Sequence, residues 1–518
     1  MILAQAASPS LVPLYVIGVY LVLLLLLGVI SSRFYRGTSA DYFVASRSIG
    51  PFLLLMSVFG TTMTGFALVG STGKAFGDGI GTYGLMASSS GLIHSLIFFL
   101  IGIKLWAIGK RYNYVTQIEY FRARFESNSL GYLLFPLLVG LVIPYLLVGL
   151  LGAGATVKAI TIGMFPDSSF HLGAIPIWIT STTICSVVLF YIFFGGLRSA
   201  AWANAFQTII FMITGVIAFY LISRALNGVV AASEQTLAKA PEHLSREHHF
   251  SQLHFMTYML VPLSVGMFPH LFQHWLTAKS AKTFRLTIIA HPIFIMIVWV
   301  PCILIGIWAM GKGIEPPNGN VNAVLGMMVK SLLQSPFMTG LLTAGILAAI
   351  MSSLDSQFVC LGTMFTNDIV VHATGRERFT DKQIVTIGRG FIVFIVVITC
   401  ILSIYTSPKI FKLGIWCFSG FASMFPVVFA AVYWKRTTKY GCMASLIAMS
   451  TTWLVLFYQD VINPSQARID AGGDFLVLGM MPVAIIFSVA AVTLVVVSLL
   501  TTPPPASTIE KFFDPKND

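Results

Sequence analysis

The stretch Gly345-Ile-Leu-Ala-Ala-Ile-Met-Ser-Ser-Leu-Asp-Ser-Gln-Phe-Val359 decides how this chain is read. It sits in an apolar segment long enough to cross a bilayer. Yet it sets Ser352, Ser353, Asp355 and Ser356 near mid-depth, where a polar group is costly unless it binds something. At 100° per residue, Ala349, Ser352, Ser353 and Ser356 share one helical face at i, i+3, i+4 and i+7, with Asp355 on its flank. Such a face is lined with oxygen, the ligand of hard cations. Small-residue packing between membrane helices is the competing account of the serines. Packing needs no carboxylate, so Asp355 turns the reading towards a cation site.

The surrounding composition sets the class. A chain of 518 residues, 57% hydrophobic and 10% charged, is not a soluble globular protein. A window of about 19 residues finds about thirteen apolar spans, centred near residues 22, 61, 94, 143, 185, 212, 264, 297, 348, 395, 421, 448 and 487. The expected fold class is an all-α membrane protein, with residues 1–500 as one transmembrane domain and 501–518 as a cytoplasmic tail. The net charge of +12 belongs with cytoplasmic loops rather than with nucleic acid. Arg33, Arg36, Arg47, Lys110, Arg111, Arg122, Arg124, Arg198, Lys279, Lys282, Arg285, Arg376, Arg378, Lys382, Arg389, Lys435, Arg436, Lys439, Lys511 and Lys516 all fall on one side. The other side receives roughly half as many over longer loops, which puts the N-terminus outside and the C-terminus in the cytoplasm. The first apolar run, Pro13 to Ile30, leads into Arg33 and Arg36 rather than a cleavage site and reads as a retained span. The six cysteines lie in or beside apolar spans without paired spacing, so no disulfide framework or zinc motif follows.

Two spans are interrupted in a matching way. The second carries Gly60-Thr61-Thr62-Met63-Thr64-Gly65 at its centre, where the backbone can unwind and expose carbonyls; the seventh carries Pro262, Gly266 and Pro269. They are five spans apart. Paired breaks in two five-helix halves point to an inverted repeat with solute and ion bound at its midplane. Three other stretches read as connections. Ala231 to Leu253, with His243, His248 and His249, is expected to be a solvated loop rather than a metal site. Gly77-Asp-Gly-Ile-Gly81 is expected to be a flexible outer loop, and the proline-rich tail from Thr501 a disordered end.

Five motifs in order then resemble one family. They are Asp41-Tyr-Phe-Val-Ala-Ser-Arg47, Ile118-Glu-Tyr-Phe-Arg-Ala-Arg-Phe125, Gly195-Gly-Leu-Arg-Ser-Ala-Ala-Trp-Ala-Asn-Ala-Phe-Gln207, Ala348-Ala-Ile-Met-Ser-Ser353, and Tyr433-Trp-Lys-Arg436 with Gly441. The chain resembles the sodium/solute symporters of the leucine-transporter-like inverted-repeat fold. The resemblance implies core repeats at about 50–225 and 252–434, flanked by one N-terminal and two C-terminal helices. It also implies one sodium ion between the broken second span and the ninth, held by the carbonyls of Gly60, Met63 and Ala349 and the hydroxyls of Ser352 and Ser353. Members with a second sodium have an acid where this chain has Asn204, and hydroxyls where it has Asp355 and Ser356. The carboxylate has therefore moved across the site, and Asn204, Asp355 and Ser356 are read as a second cation site, a proton carrier, or a structural pair of Asp355 with Asn204.

For the solute, Thr61, Thr62, Thr64 and Phe66 at the break and Trp416 and Phe418 in the eleventh span are the candidate lining. His270 and His274, at i and i+4, suit a metal, but with no third ligand they read as structural or interfacial. The function implied is sodium-coupled symport of a small organic solute by alternating access, in a bacterial inner membrane. Its partners are that solute and lipid, with no obligate protein partner. Proton coupling through Asp355 and a transporter-like membrane sensor are the alternatives; no nucleophile elbow, metal triad or phosphate loop suggests an enzyme.

Overall fold

The computed structural model describes residues 10–513 apart from 247, 248, 334, 407, 408 and 472; His248 and Lys516 lie outside the described residues. Among the described residues, the only strand-like pairings are two isolated bridges, Ile49 with Ala278 and Val477 with Met480. The rest is helix and connection, as lipid demands of a backbone that must satisfy its own hydrogen bonds.

Among the described residues, ten helices are long and apolar enough to cross a membrane: Val12–Ser32, Gly81–Tyr112, Asn128–Thr161, Ile177–Ala225, Ala281–Lys312, Pro336–Thr374, Asp381–Tyr405, Ile410–Tyr433, Lys439–Ile462 and Pro482–Leu500. Two bent pairs raise the number to twelve. Pro51–Thr62 meets Phe66–Asp78 at 56°, and Gln252–Gly266 meets Pro269–Thr277 at 49°. The difference from about thirteen lies in Ile177–Ala225, one 49-residue element where the apolar windows separate two spans. Gly196 interrupts it at φ 57° and ψ −145°, backbone that glycine adopts and other residues resist. A joint, rather than a loop, divides the two windows.

Local chemistry explains the helix ends. Pro51, Pro269, Pro336 and Pro482 each open a helix, where a missing N–H leaves nothing unpaired. Thr116 and Glu119 form a reciprocal capping box on the short helix Gln117–Phe125. Burial then ranks the spans. In Pro336–Thr374, 83% of the apolar window is buried, against 28% in Val12–Ser32. The first is the hub, packed on Ile177–Ala225 and on the first bent pair, and the second turns Val19, Leu23 and Leu26 outward, as a helix facing acyl chains does.

Three connections differ from the sequence expectation. Val229–Lys239 is a helix docked on Ala281–Lys312, where the Trp308 indole donates to Ser233 Oγ at 3.1 Å. His243 beyond it is buried, and its carbonyl accepts from the Ile80 N–H at 2.8 Å. Its polar composition concealed an amphipathic helix. Gly77 to Gly81 is a tight turn: Gly79 has φ 73° and abuts His243. The tail forms Ala506–Phe513, and Phe512 is buried with its ring centre 5.9 Å from Tyr112 and 6.0 Å from Tyr120. Thr508 and Phe512, one turn apart, give this helix an anchoring face behind the prolines.

A methyl group at Gly196 would collide with the Tyr42 carbonyl as well as strain the backbone. Gly196→Ala is expected to destabilise the protein by about 1–3 kcal/mol, read as a lower unfolding midpoint in detergent. Gly215→Ala, with nothing within 4 Å of the added carbon, is the neutral control.

Candidate functional site

The first bent pair unwinds after Thr62. Met63 is extended (φ −88°, ψ 98°), so its carbonyl leaves the helical ladder, while its N–H still closes on the Phe59 carbonyl at 3.1 Å. Across from this end lies the middle of Pro336–Thr374. The Ser352 hydroxyl stands 2.7 Å from the Gly60 carbonyl oxygen and 2.8 Å from that of Ala349. Gly60 O, Ala349 O and Ser352 Oγ therefore converge, all buried. Ser353 is on the same face, with its hydroxyl donating to the Ile350 carbonyl at 2.8 Å inside its own helix. Close approach depends on glycine, because a side chain at Gly60 would run into the Thr208 hydroxyl.

One turn further, the structure brings Asn204, Asp355 and Ser356 together. Hydrogen bonding orients the Asn204 amide with its nitrogen towards the Ser352 carbonyl (2.8 Å) and the Asp355 carboxylate (3.0 and 3.1 Å), and its oxygen towards the Ser356 hydroxyl (2.9 Å). Tyr191 donates to Asp355 Oδ2 at 3.0 Å, an oxygen the Asn204 amide also reaches, and His274 Nε2 is 2.9 Å from Ser356 Oγ. Asp355 is fully buried among neutral donors, with no salt-bridge partner among the described residues. Nor does any group of three His, Cys, Asp or Glu among the described residues form a transition-metal cage.

The expected solute lining divides. Thr62 donates to the Phe59 carbonyl at 2.8 Å, and Thr64 accepts from the Phe66 N–H at 3.1 Å, so both hydroxyls finish helix ends at the break. The Thr61 hydroxyl is buried without a hydrogen-bond partner among the described residues. Phe66 and Phe418 meet edge to face at 4.9 Å, and Phe418 continues to Tyr145 at 5.1 Å and to Phe268, at the second break, at 5.8 Å. His270 stacks on Phe268 at 5.2 Å, and neither of its ring nitrogens has a hydrogen-bond partner among the described residues. The two breaks thus face one aromatic cluster. Trp416 is not in it. Two residues from Phe418, and so about 200° round the helix, its indole donates to Asp460 Oδ2 at 2.8 Å and packs on Trp453, Phe457 and Phe475.

Residues 42–448 match the profile of the Sodium:solute symporter family. The chain belongs to that family. This symporter is 25% identical over 450 residues to the osmoregulated proline transporter OpuE of Bacillus subtilis (strain 168), covering 85% of this chain and 87% of that one. It is 26% identical over 456 residues to the sodium/proline symporter of Escherichia coli (strain K12), covering 84% and 86%. In fold it is similar to a Na+-coupled sialic acid symporter (TM-score 0.73, 16% identity, 95% of this chain and 99% of that one). It is also similar in fold to the nucleobase-cation-symport-1 transporter Mhp1 in a closed conformation (TM-score 0.53, 15% identity, 91% and 98%).

Sequence reasoning missed Tyr191, Thr208, Tyr145 and Phe268. Thr208 carried a signal, since it follows Asn204 by one helical turn on Ile177–Ala225, the element packed most extensively against Pro336–Thr374. Tyr191 carried none, because it reaches Asp355 only through the turn at Gly196.

Removing the indole N–H with Trp416→Phe is expected to cost about 1–3 kcal/mol of stability, since the lost bond is to a buried carboxylate. Thermal unfolding in detergent measures it, and an unchanged midpoint would contradict the placement of Trp416 on Asp460.

Proposed function

We propose that this symporter moves a small organic solute together with sodium by alternating access, the ion bridging the first broken span and the hub helix. The observation that carries the proposal is the convergence of the Gly60 and Ala349 carbonyls with the Ser352 hydroxyl at an interrupted helix end. Met63 and Ser353 complete the ligand set. All five offer neutral oxygen, the chemistry that suits a monovalent hard ion which must also leave. The ion ties the second and ninth spans together and so organises the solute site beside them, at the aromatic cluster of Phe66 and Phe418 with Thr61. The two proline-transporting relatives make L-proline the first solute to test.

Orientation follows from charge. The basic loops face the cytoplasm, the N-terminus lies outside and the C-terminus inside a bacterial plasma membrane, and the two repeats run over about 50–225 and 252–434. One charge crossing about 100 mV supplies ~2.3 kcal/mol and a tenfold sodium gradient ~1.4, enough for accumulation of several hundred-fold per ion.

Asp355 supports a second role. A carboxylate held by the neutral Asn204 amide and Tyr191 hydroxyl, with no basic partner among the described residues, keeps a site for one positive charge, either a second sodium with Asn204 and Ser356 or a proton.

In proteoliposomes with an imposed sodium gradient and a panel of labelled solutes that includes L-proline, Ser352→Ala/Ser353→Ala is expected to raise the sodium concentration for half-maximal uptake at least tenfold. An unchanged sodium requirement overturns the ion assignment. Asp355→Asn separates the two roles: a second sodium predicts loss of sodium cooperativity at every pH, and a proton predicts loss of pH dependence with the sodium response kept.

A further inference from the structure

Asp474 lies on the segment that joins the last two spans, at the membrane face opposite the basic loops. It meets both broken spans at once. Its Oδ1 accepts from Lys74 Nζ at 2.7 Å, on the second arm of the first broken span, and its Oδ2 is 3.4 Å from His254 Nε2, on the first arm of the second. Lys74 also pairs with Asp78 one turn along its own helix. The lysine side chain is only 9% exposed and that of Asp474 18%. These are largely buried charges, whose pairing is costly to break without a substitute partner.

The lysine does more than neutralise the aspartate. Its ammonium stands 5.1 Å from the centre of the Phe411 ring and 5.6 Å from that of Phe250. Phe411 stacks on Phe66 at 5.0 Å, and Phe66 is the ring that meets Phe418 at the break. A chain of contacts therefore runs from the joining segment, through one ion pair, onto the aromatic cluster between the breaks. The same segment is held a second time, by Arg468 Nε donating to Asp460 at 2.9 Å, where Lys412 also donates at 2.8 Å. Each broken span has an arm that can tilt independently of its other half, since no helical ladder crosses the break. A single carboxylate between those two arms holds them together.

We propose that Lys74 and Asp474 are the gating pair of this symporter: joined, they hold the outer arms of both broken spans shut over the Phe66 cluster, and they part when the outer path opens. His254 is the weaker third contact. The proposal rests on the alternating-access reading and adds the residues that close one side of it.

The test reads access rather than transport, so it needs no knowledge of the solute. A cysteine at Thr61 is labelled with a membrane-impermeant maleimide in right-side-out and inside-out vesicles, and the peptide that carries it is quantified by mass spectrometry against the six native cysteines. Lys74→Met and Asp474→Asn are each expected to speed labelling from the outer face at least tenfold and to slow it from the inner face. Lys74→Arg, which keeps the charge, stays within about threefold of the parent. Equal rates in parent and variants overturn the proposal, and so does faster labelling from both faces, which marks general loosening. Should either variant fail to reach the membrane, His254→Gln is read instead, with a smaller rise confined to the outer face expected and no rise overturning it. Sodium is varied in every arm. If sodium shifts access in the parent while the variants match it, the gating pair fails alone. If sodium shifts nothing while the variants open the outer face, the ion assignment fails and the gating pair stands.

Discussion

A helix interrupted in the middle of a membrane has carbonyls with no amide to receive and no water to replace it, and each such group left bare costs several kcal/mol. The Gly60 carbonyl keeps only a long bond from the Met63 N–H at 3.3 Å and is completed at 2.7 Å by Ser352, a hydroxyl projected from a helix that is itself buried over 83% of its apolar window. Everything else near the break adapts to this contact. Gly60 has no side chain to hold the helices apart, and Gly65 lies so close to the fourth span that an added carbon would stand 2.8 Å from the Val148 carbonyl. The break is thus packed on two sides by backbone and oxygen. That makes it rigid enough to hold a geometry and lines it with oxygen.

The acid one turn along obeys a different constraint. Asp355 is surrounded by donors that are all neutral, so its environment stabilises negative charge by hydrogen bonding without cancelling it. A structural salt bridge would have filled the position with a lysine or arginine, as Arg198 does for Asp41 at the basic face, where three contacts from one guanidinium reach the carboxylate. There burial pushes the Asp41 carboxyl up, but Arg198, the Arg36 N–H and the Ser46 hydroxyl together hold it below the usual carboxylate range. The contrast separates an aspartate paired with a guanidinium from one held by neutral donors alone.

What was legible in the sequence follows from what lipid enforces. Both breaks could be read from Gly60 to Gly65 and from Pro262 to Pro269, because glycine and proline act locally on the ladder. The oxygen-lined face of Ala349, Ser352, Ser353 and Ser356 followed from helical period alone. Its meeting with Asn204 came from resemblance, since no local rule brings residues 150 positions apart into contact. Trp416 was misplaced because its partner Asp460 lies 44 positions on, and no local rule shows that this carboxylate folds back to the face Trp416 shares with Lys412. The segment 231–253 and the tail were misread for the opposite reason, as their polar residues outnumbered the few apolar ones that dock them.

The joint at Gly196 carries one further consequence. Tyr191 lies on one arm of the long element and Asn204 on the other, yet both bond to Asp355. Any swivel of one arm against the other changes how many donors the acid retains, and with them its appetite for positive charge. A mechanical angle is in this way written into an electrostatic balance, one helical turn along from Ser352, whose carbonyl the same Asn204 amide reaches.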